Sequence, residues 1–62
     1  MNFIDGDGYI EAKERILRAS SRLFSEKGYD AARVSEIAHE AGVNKALIYY
    51  YFKNKEDILN TL

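Results

Sequence analysis

GVNKALIYYYFKNKEDIL, running from Gly42 to Leu59, reads as the second half of a helix-turn-helix followed at once by another capped helix. Just upstream, VSEIAHEA from Val34 to Ala41 supplies a short helix, Gly42 supplies a residue able to take positive φ, and Val43 supplies an apolar plug for the turn. Asn44 caps the next helix. Its side-chain oxygen can accept from the free amides of the first turn, and no Gly or Pro interrupts Lys45 to Phe52. Asn54 opens a further helix, with Asp57 three residues on in a capping-box-like pair whose acid suits the helix N-terminus.

Working outward, the apolar residues Ala12, Ile16, Leu17, Ala19, Leu23 and Phe24 recur at helical spacing from about Ile10 to Lys27, with Glu11, Arg15, Arg18 and Arg22 as a charged strip opposite. Glu11 to Arg15 and Glu14 to Arg18 are i,i+4 pairs with the acid first. Gly28 ends this first helix, and Tyr29 can fold back on Phe24. The second helix opens near Val34 and carries Val34, Ile37, Ala38 and Ala41 on its core face. Strand-like alternation, repeats and low-complexity tracts are absent from the sequence. The expected fold is all-α: three helices in a homeodomain-like helix-turn-helix arrangement, plus the start of a fourth.

In the third helix, a rotation of about 100° per residue puts Ile48 and Phe52 on one side. Ala46 and Tyr50 point the opposite way, flanked by Lys45, Leu47 and Tyr49. Outward tyrosines and a leucine need a cover, and the major groove of duplex DNA would provide one. Ala46 lets the backbone approach, Leu47 can touch a thymine methyl, Lys45 can donate to guanine acceptors, and tyrosine hydroxyls can reach phosphate.

These same residues carry a family resemblance. Ile16-Leu17 with Ala19, Leu23-Phe24, Glu26-Lys27-Gly28-Tyr29, Ile37-Ala38, Ala41-Gly42-Val43, Ile48-Tyr49 with Tyr51-Phe52, and Lys53-Asn54-Lys55-Glu56 with Leu59 stand as they do in the N-terminal DNA-binding domain of tetracycline-repressor (TetR) family transcriptional regulators. The chain resembles that domain over roughly residues 13 to 62.

Residues 1–9, rich in Asp and Gly, read as a flexible acidic arm; the resemblance implies the DNA-binding domain over 10–53 and, over 54–62, the beginning of a fourth helix leading to an absent ligand-binding and dimerisation domain. The stop at Leu62, inside what should still be amphipathic helix, fits a fragment of a longer protein. The implied function is sequence-specific binding to a palindromic double-stranded operator, as a homodimeric, ligand-responsive repressor whose small-molecule effector binds outside these residues. Base-contact candidates are Lys45, Ala46, Leu47 and Tyr49, with Ser35 weaker; backbone-contact candidates are Arg33, Asn44, Tyr50, Tyr51 and Lys55.

The sequence departs from the family at several positions. Ala32 and Arg33 stand where threonines are common, so the hydroxyl cap of the second helix is missing, at about 0.5 to 2 kcal/mol unless Asp30 or Ser35 compensates. Arg33 can replace the threonine's phosphate contact with a charge. Ser20 stands where alanine is usual, and its hydroxyl can bond a carbonyl one turn back. Tyr51 occupies a position often held by a phosphate-contacting histidine, while its direction leans toward the buried edge; Tyr49 falls between the buried and exposed sides.

A domain of 62 residues is small, burying only about 60% of its unfolded surface, so partners should matter. With no cysteine there is neither disulfide nor thiolate metal site; with no signal-peptide pattern or bilayer-spanning run, a soluble cytoplasmic protein off the membrane is expected. The net charge of −1 argues mildly against nucleic acid, yet Asp5, Asp7, Glu11 and Glu14 hold four of the acids near the start while Arg33, Lys45, Lys53 and Lys55 cluster around the helix-turn-helix.

Asp5, Asp7 and Glu14, with Gly8 and Ile10, resemble the later part of an EF-hand loop, but Phe3 stands at the first ligand position and the entering helix is missing. His39, the one histidine, reads as solvated, and no cofactor, metal or catalytic constellation is expected. The competing reading is a small helical protein-interaction module docking through its tyrosine-rich helix.

Overall fold

The computed structural model describes residues 11–62, where four helices follow one another: α1 (Ala12–Lys27), α2 (Val34–Ala41), α3 (Lys45–Tyr51) and α4 (Lys55–Thr61). The acidic stretch from Asp5 to Ile10, with its likeness to a calcium loop, lies outside the described residues. No strand occurs among the described residues, as the all-α expectation requires.

Helix α1 is the hub, packing against α2, α3 and α4. It buries Ile16, Ala19, Ser20 and Leu23, a set spaced three and four residues apart along one stripe. Each helix sends one isoleucine into the shared core: Ile16, Ile37, Ile48 and Ile58, all 0 or 1% exposed. Burying one such side chain is worth about 1.5 to 3 kcal/mol, and its β-branched stem holds few rotamers to lose. Ala32 and Phe52 complete the centre. The Ser20 hydroxyl donates to the Ile16 carbonyl at 2.7 Å, so the one buried polar side chain among the described residues is satisfied as expected.

Helix ends differ from the sequence expectation in instructive ways. Helix α1 starts at Ala12 rather than near Ile10, because Glu11 is extended (φ −58°, ψ 151°) and its carbonyl accepts the Arg15 N–H at 3.0 Å to close the first turn. At the other end Gly28 takes φ 89°, and Tyr29 does return onto Phe24, with ring centroids 5.2 Å apart. Helix α3 stops at Tyr51, one residue early. Phe52 turns extended (φ −134°, ψ 139°), which sinks its ring into the core and frees Asn54 to begin α4. Asn54 accepts from the Asp57 N–H at 2.8 Å, but Asp57 returns its bond to the Lys53 N–H rather than to Asn54, so the box is displaced by one residue.

The turn between α2 and α3 closes as a Schellman motif: the Val43 N–H donates to the Ala38 carbonyl at 3.0 Å and the Gly42 N–H to His39 at 3.2 Å. Gly42 is left-handed at φ 74°, ψ 33°, with open space where a Cβ would stand. Backbone strain alone therefore sets the effect of a side chain there. Gly42→Ala is expected to lower the unfolding free energy by about 1 to 2 kcal/mol, with Gly42→Asn closer to wild type, as read by urea denaturation. Equal stability of Gly42→Ala and wild type would contradict this account.

Candidate nucleic-acid interface

Asn44 sets the direction of α3. Its Oδ1 accepts from the Leu47 N–H at 2.9 Å, satisfying a first-turn amide, while Ile48 and Phe52 fasten the helix from beneath. The opposite side is open. Tyr50 is 79% exposed at its centre, Tyr49 50%, and Lys45 and Ala46 are exposed beside them; Leu47 is half-buried. Tyr51 is 38% exposed, farther out than a core edge position, with its ring edge-on to Tyr50 at 5.1 Å and tilted against Phe52 at 6.4 Å. Tyr50 and Tyr51 thus form a connected aromatic surface, with Tyr49 exposed beside it, rather than a second core.

Three cations sit at three helix N-termini: Arg33 at the N-cap of α2, Lys45 opening α3 and Lys55 opening α4. Each is on the wrong side of its own helix dipole, by about 0.3 to 1 kcal/mol at an exposed site. Lys55 has a remedy inside the fold. Its Nζ donates to the carbonyls of Tyr29 at 2.6 Å and Ala32 at 2.9 Å, and lies 4.3 Å from the centre of the Tyr29 ring. Beyond the phosphate contact that the family resemblance implies for Lys55, this staple holds the peptide bond just before Arg33. Lys45 makes no hydrogen bond or ion pair among the described residues, so its ammonium is available to a partner.

The start of α2 is secured without a hydroxyl. Arginine carries no acceptor for the free amides, and it is Glu36, not Asp30 or Ser35, that reaches back, its Oε1 accepting from the Arg33 N–H at 3.1 Å. Ser35 stands exposed on the first turn of α2, and Arg33 is exposed beside it. The other Glu36 oxygen pairs with Lys27 of α1. Lys27 first, and then the Arg33 amide, hold the Glu36 carboxyl below the usual carboxylate range.

A lowered folded-state value means the carboxylate's stabilising contribution is complete above the ordinary glutamate range and is lost as pH falls through the lowered value. We expect carbon-detected NMR to place the Glu36 titration below the ordinary glutamate range, and Lys27→Ala to move that midpoint up. An unmoved midpoint would remove Lys27 as the cause.

Arg15, expected on the outer charged strip with Arg18 and Arg22, is half-buried, and its Nε donates to the Ala41 carbonyl at 3.0 Å. The free carbonyls and negative dipole end of α2 explain the attraction. Arg18 pairs with Glu14 at 3.2 Å as its spacing implied, and Arg22 joins Glu26 with Glu40 of α2, which raises its pKa through Glu26 first. Among the described residues no cluster of His, Cys, Asp and Glu is arranged to hold a metal, His39 is exposed, and no helix is long and apolar enough to cross a membrane.

The model of the family of bacterial regulatory proteins termed tetR matches residues 16–62. An uncharacterised HTH-type transcriptional regulator of Bacillus subtilis, YerO, is 49% identical over 49 residues, covering 79% of this chain and 17% of the relative. The fatty acid metabolism regulator protein of B. subtilis is 50% identical over 48 residues, 77% of this chain and 25% of the relative. IcaR of Staphylococcus epidermidis, named a negative transcriptional regulator of a biofilm operon, is 41% identical over 46 residues, 74% of this chain and 25% of the relative. The chain spans between 17% and 25% of the length of these three relatives. With a family match running from within α1 to the end of α4, on a Schellman turn between α2 and an Asn-capped α3, the chain belongs to the tetR family of bacterial regulatory proteins.

Proposed function

We propose that this chain is the DNA-reading head of a transcriptional regulator, laying α3 in the major groove of a palindromic operator as one half of a homodimer. The observation that carries this reading is the unpartnered Lys45 on an Asn44-capped helix whose outer side is Ala46, Tyr49 and Tyr50 while its inner side is fixed by Ile48. Lys45, Ala46, Leu47 and Tyr49 read bases, with Ser35 at the margin; Arg33, Asn44, Tyr50, Tyr51 and the remaining N–H of Lys55 meet the backbone. It acts by binding rather than catalysis, in the cytoplasm with the DNA. Repression relieved by a small molecule held outside these residues completes the reading; membership of the tetR family supports it, and the relative IcaR is named a negative transcriptional regulator.

The test is selection of duplexes from a random pool by the intact protein, followed by anisotropy titrations at several salt concentrations. Affinity should fall linearly on log–log axes with salt. Lys45→Ala should relax sequence choice at one base pair, by about 1 to 3 kcal/mol of discrimination, with little change elsewhere. If no duplex is enriched and salt has no effect, the tyrosine-rich face is a docking surface for polypeptide instead.

A further inference from the structure

The outward side of α3 is short of hydrogen-bond acceptors. Across Lys45–Tyr51 the side chains include no carboxylate and no amide, and the one neighbouring amide oxygen, Asn44 Oδ1, already accepts from the Leu47 N–H. Lysine donates only, and the tyrosine hydroxyls stand at the ends of long rings. Bidentate reading of adenine needs an amide, and cytosine N4 needs a carboxylate. Neither is present on this helix. What the face offers centrally is the methyl of Ala46 with the exposed ring of Tyr50 one turn later, and the partly covered Leu47 beside them.

Resting on the DNA-reading proposal above, we infer that α3 recognises the C5 methyl group of pyrimidines, and that 5-methylcytosine substitutes for thymine at the positions Ala46 and Leu47 meet. The chemistry is shared by the two bases. Thymine and 5-methylcytosine project the same methyl into the major groove, and they differ there in an oxygen against an amino group. Ala46 and Leu47 have no group that would pair with either, so the methyl alone is read. Lys45, which opens the helix, supplies a polar specification, guanine, next to this apolar patch.

The test replaces bases and leaves the protein untouched. In the selected duplex, thymines under α3 are changed one at a time to deoxyuridine, which removes only the methyl, or the pair is changed to C·G or 5-methyl-C·G. Deoxyuridine should weaken binding by the intact protein about fourfold for each contacted methyl. C·G should be weak by a similar factor, and 5-methyl-C·G should recover most of it. Deoxyuridine outside the footprint should have no effect. Undiminished affinity for the deoxyuridine duplexes, or no recovery with 5-methylcytosine, overturns methyl reading while leaving DNA binding intact; failure to enrich any duplex overturns both.

Discussion

Ile48→Ala is expected to remove a large share of the folding free energy, seen in far-ultraviolet circular dichroism as a urea transition shifted far toward zero denaturant. Ile48 is the sole buried residue within α3, 1% exposed, with only Phe52 just past the helix end to share the anchoring. Truncating a buried isoleucine to alanine costs about 2 to 5 kcal/mol, because surrounding helices close the cavity incompletely. The whole stability of a chain of 62 residues is roughly 3 to 9 kcal/mol. The loss is therefore a large share of the total. Ile48→Val, which removes one methylene, should retain a cooperative transition at a cost of about 0.5 to 1.5 kcal/mol. Tyr50→Ala, on the exposed side of the same helix, should change stability by less than about 0.5 kcal/mol. A native-like urea midpoint for Ile48→Ala would show that α3 is held by something other than this side chain.

The contrast between Ile48 and Lys55 also marks what could be read from residues alone. Interactions that close within one turn were legible: the Asn44 and Asn54 caps, the left-handed Gly42, the Ser20 hydroxyl on Ile16 and the Phe24–Tyr29 contact all connect neighbours four or five residues apart at most. Periodicity likewise picked out Ile16, Ile37, Ile48 and Phe52 as core. Ile58 and Ala32 carry no such signal, since each lies in a segment too short to show a period of its own.

Contacts across the chain were illegible for a different reason. Arg15 reaches Ala41 and Lys55 reaches Tyr29, each over 26 residues, and nothing in local spacing distinguishes such a cation from a solvated one. One signal was present. A lysine in the opening position of a helix opposes the dipole, so either an internal acceptor or an external anion is needed to justify it. Lys45 and Lys55 share that position, yet only Lys55 finds carbonyls.

Lys55 therefore carries two separable effects. Lys55→Met keeps the stem and removes the ammonium, taking away the bonds to the Tyr29 and Ala32 carbonyls and the contact with the Tyr29 ring. Hydrogen bonds to a charged group are worth about 1.5 to 3 kcal/mol when well sheltered, and here water can rehydrate the half-buried site. A net loss of about 2 kcal/mol in unfolding free energy is the expected result. Lys53→Met should change stability by less than about 0.5 kcal/mol, because the Lys53 side chain is exposed and only its backbone N–H is engaged. Lys55→Met should also weaken binding on every duplex and reduce the salt slope by about 0.9, the share of one phosphate. Lys55→Arg keeps the charge but replaces a compact ammonium by a planar fork, so it should preserve the slope while recovering only part of the stability. If Lys55→Met shifts the urea midpoint and leaves the slope unchanged, Lys55 acts on DNA only by holding the peptide before Arg33; if it changes the slope alone, the staple contributes nothing to folding.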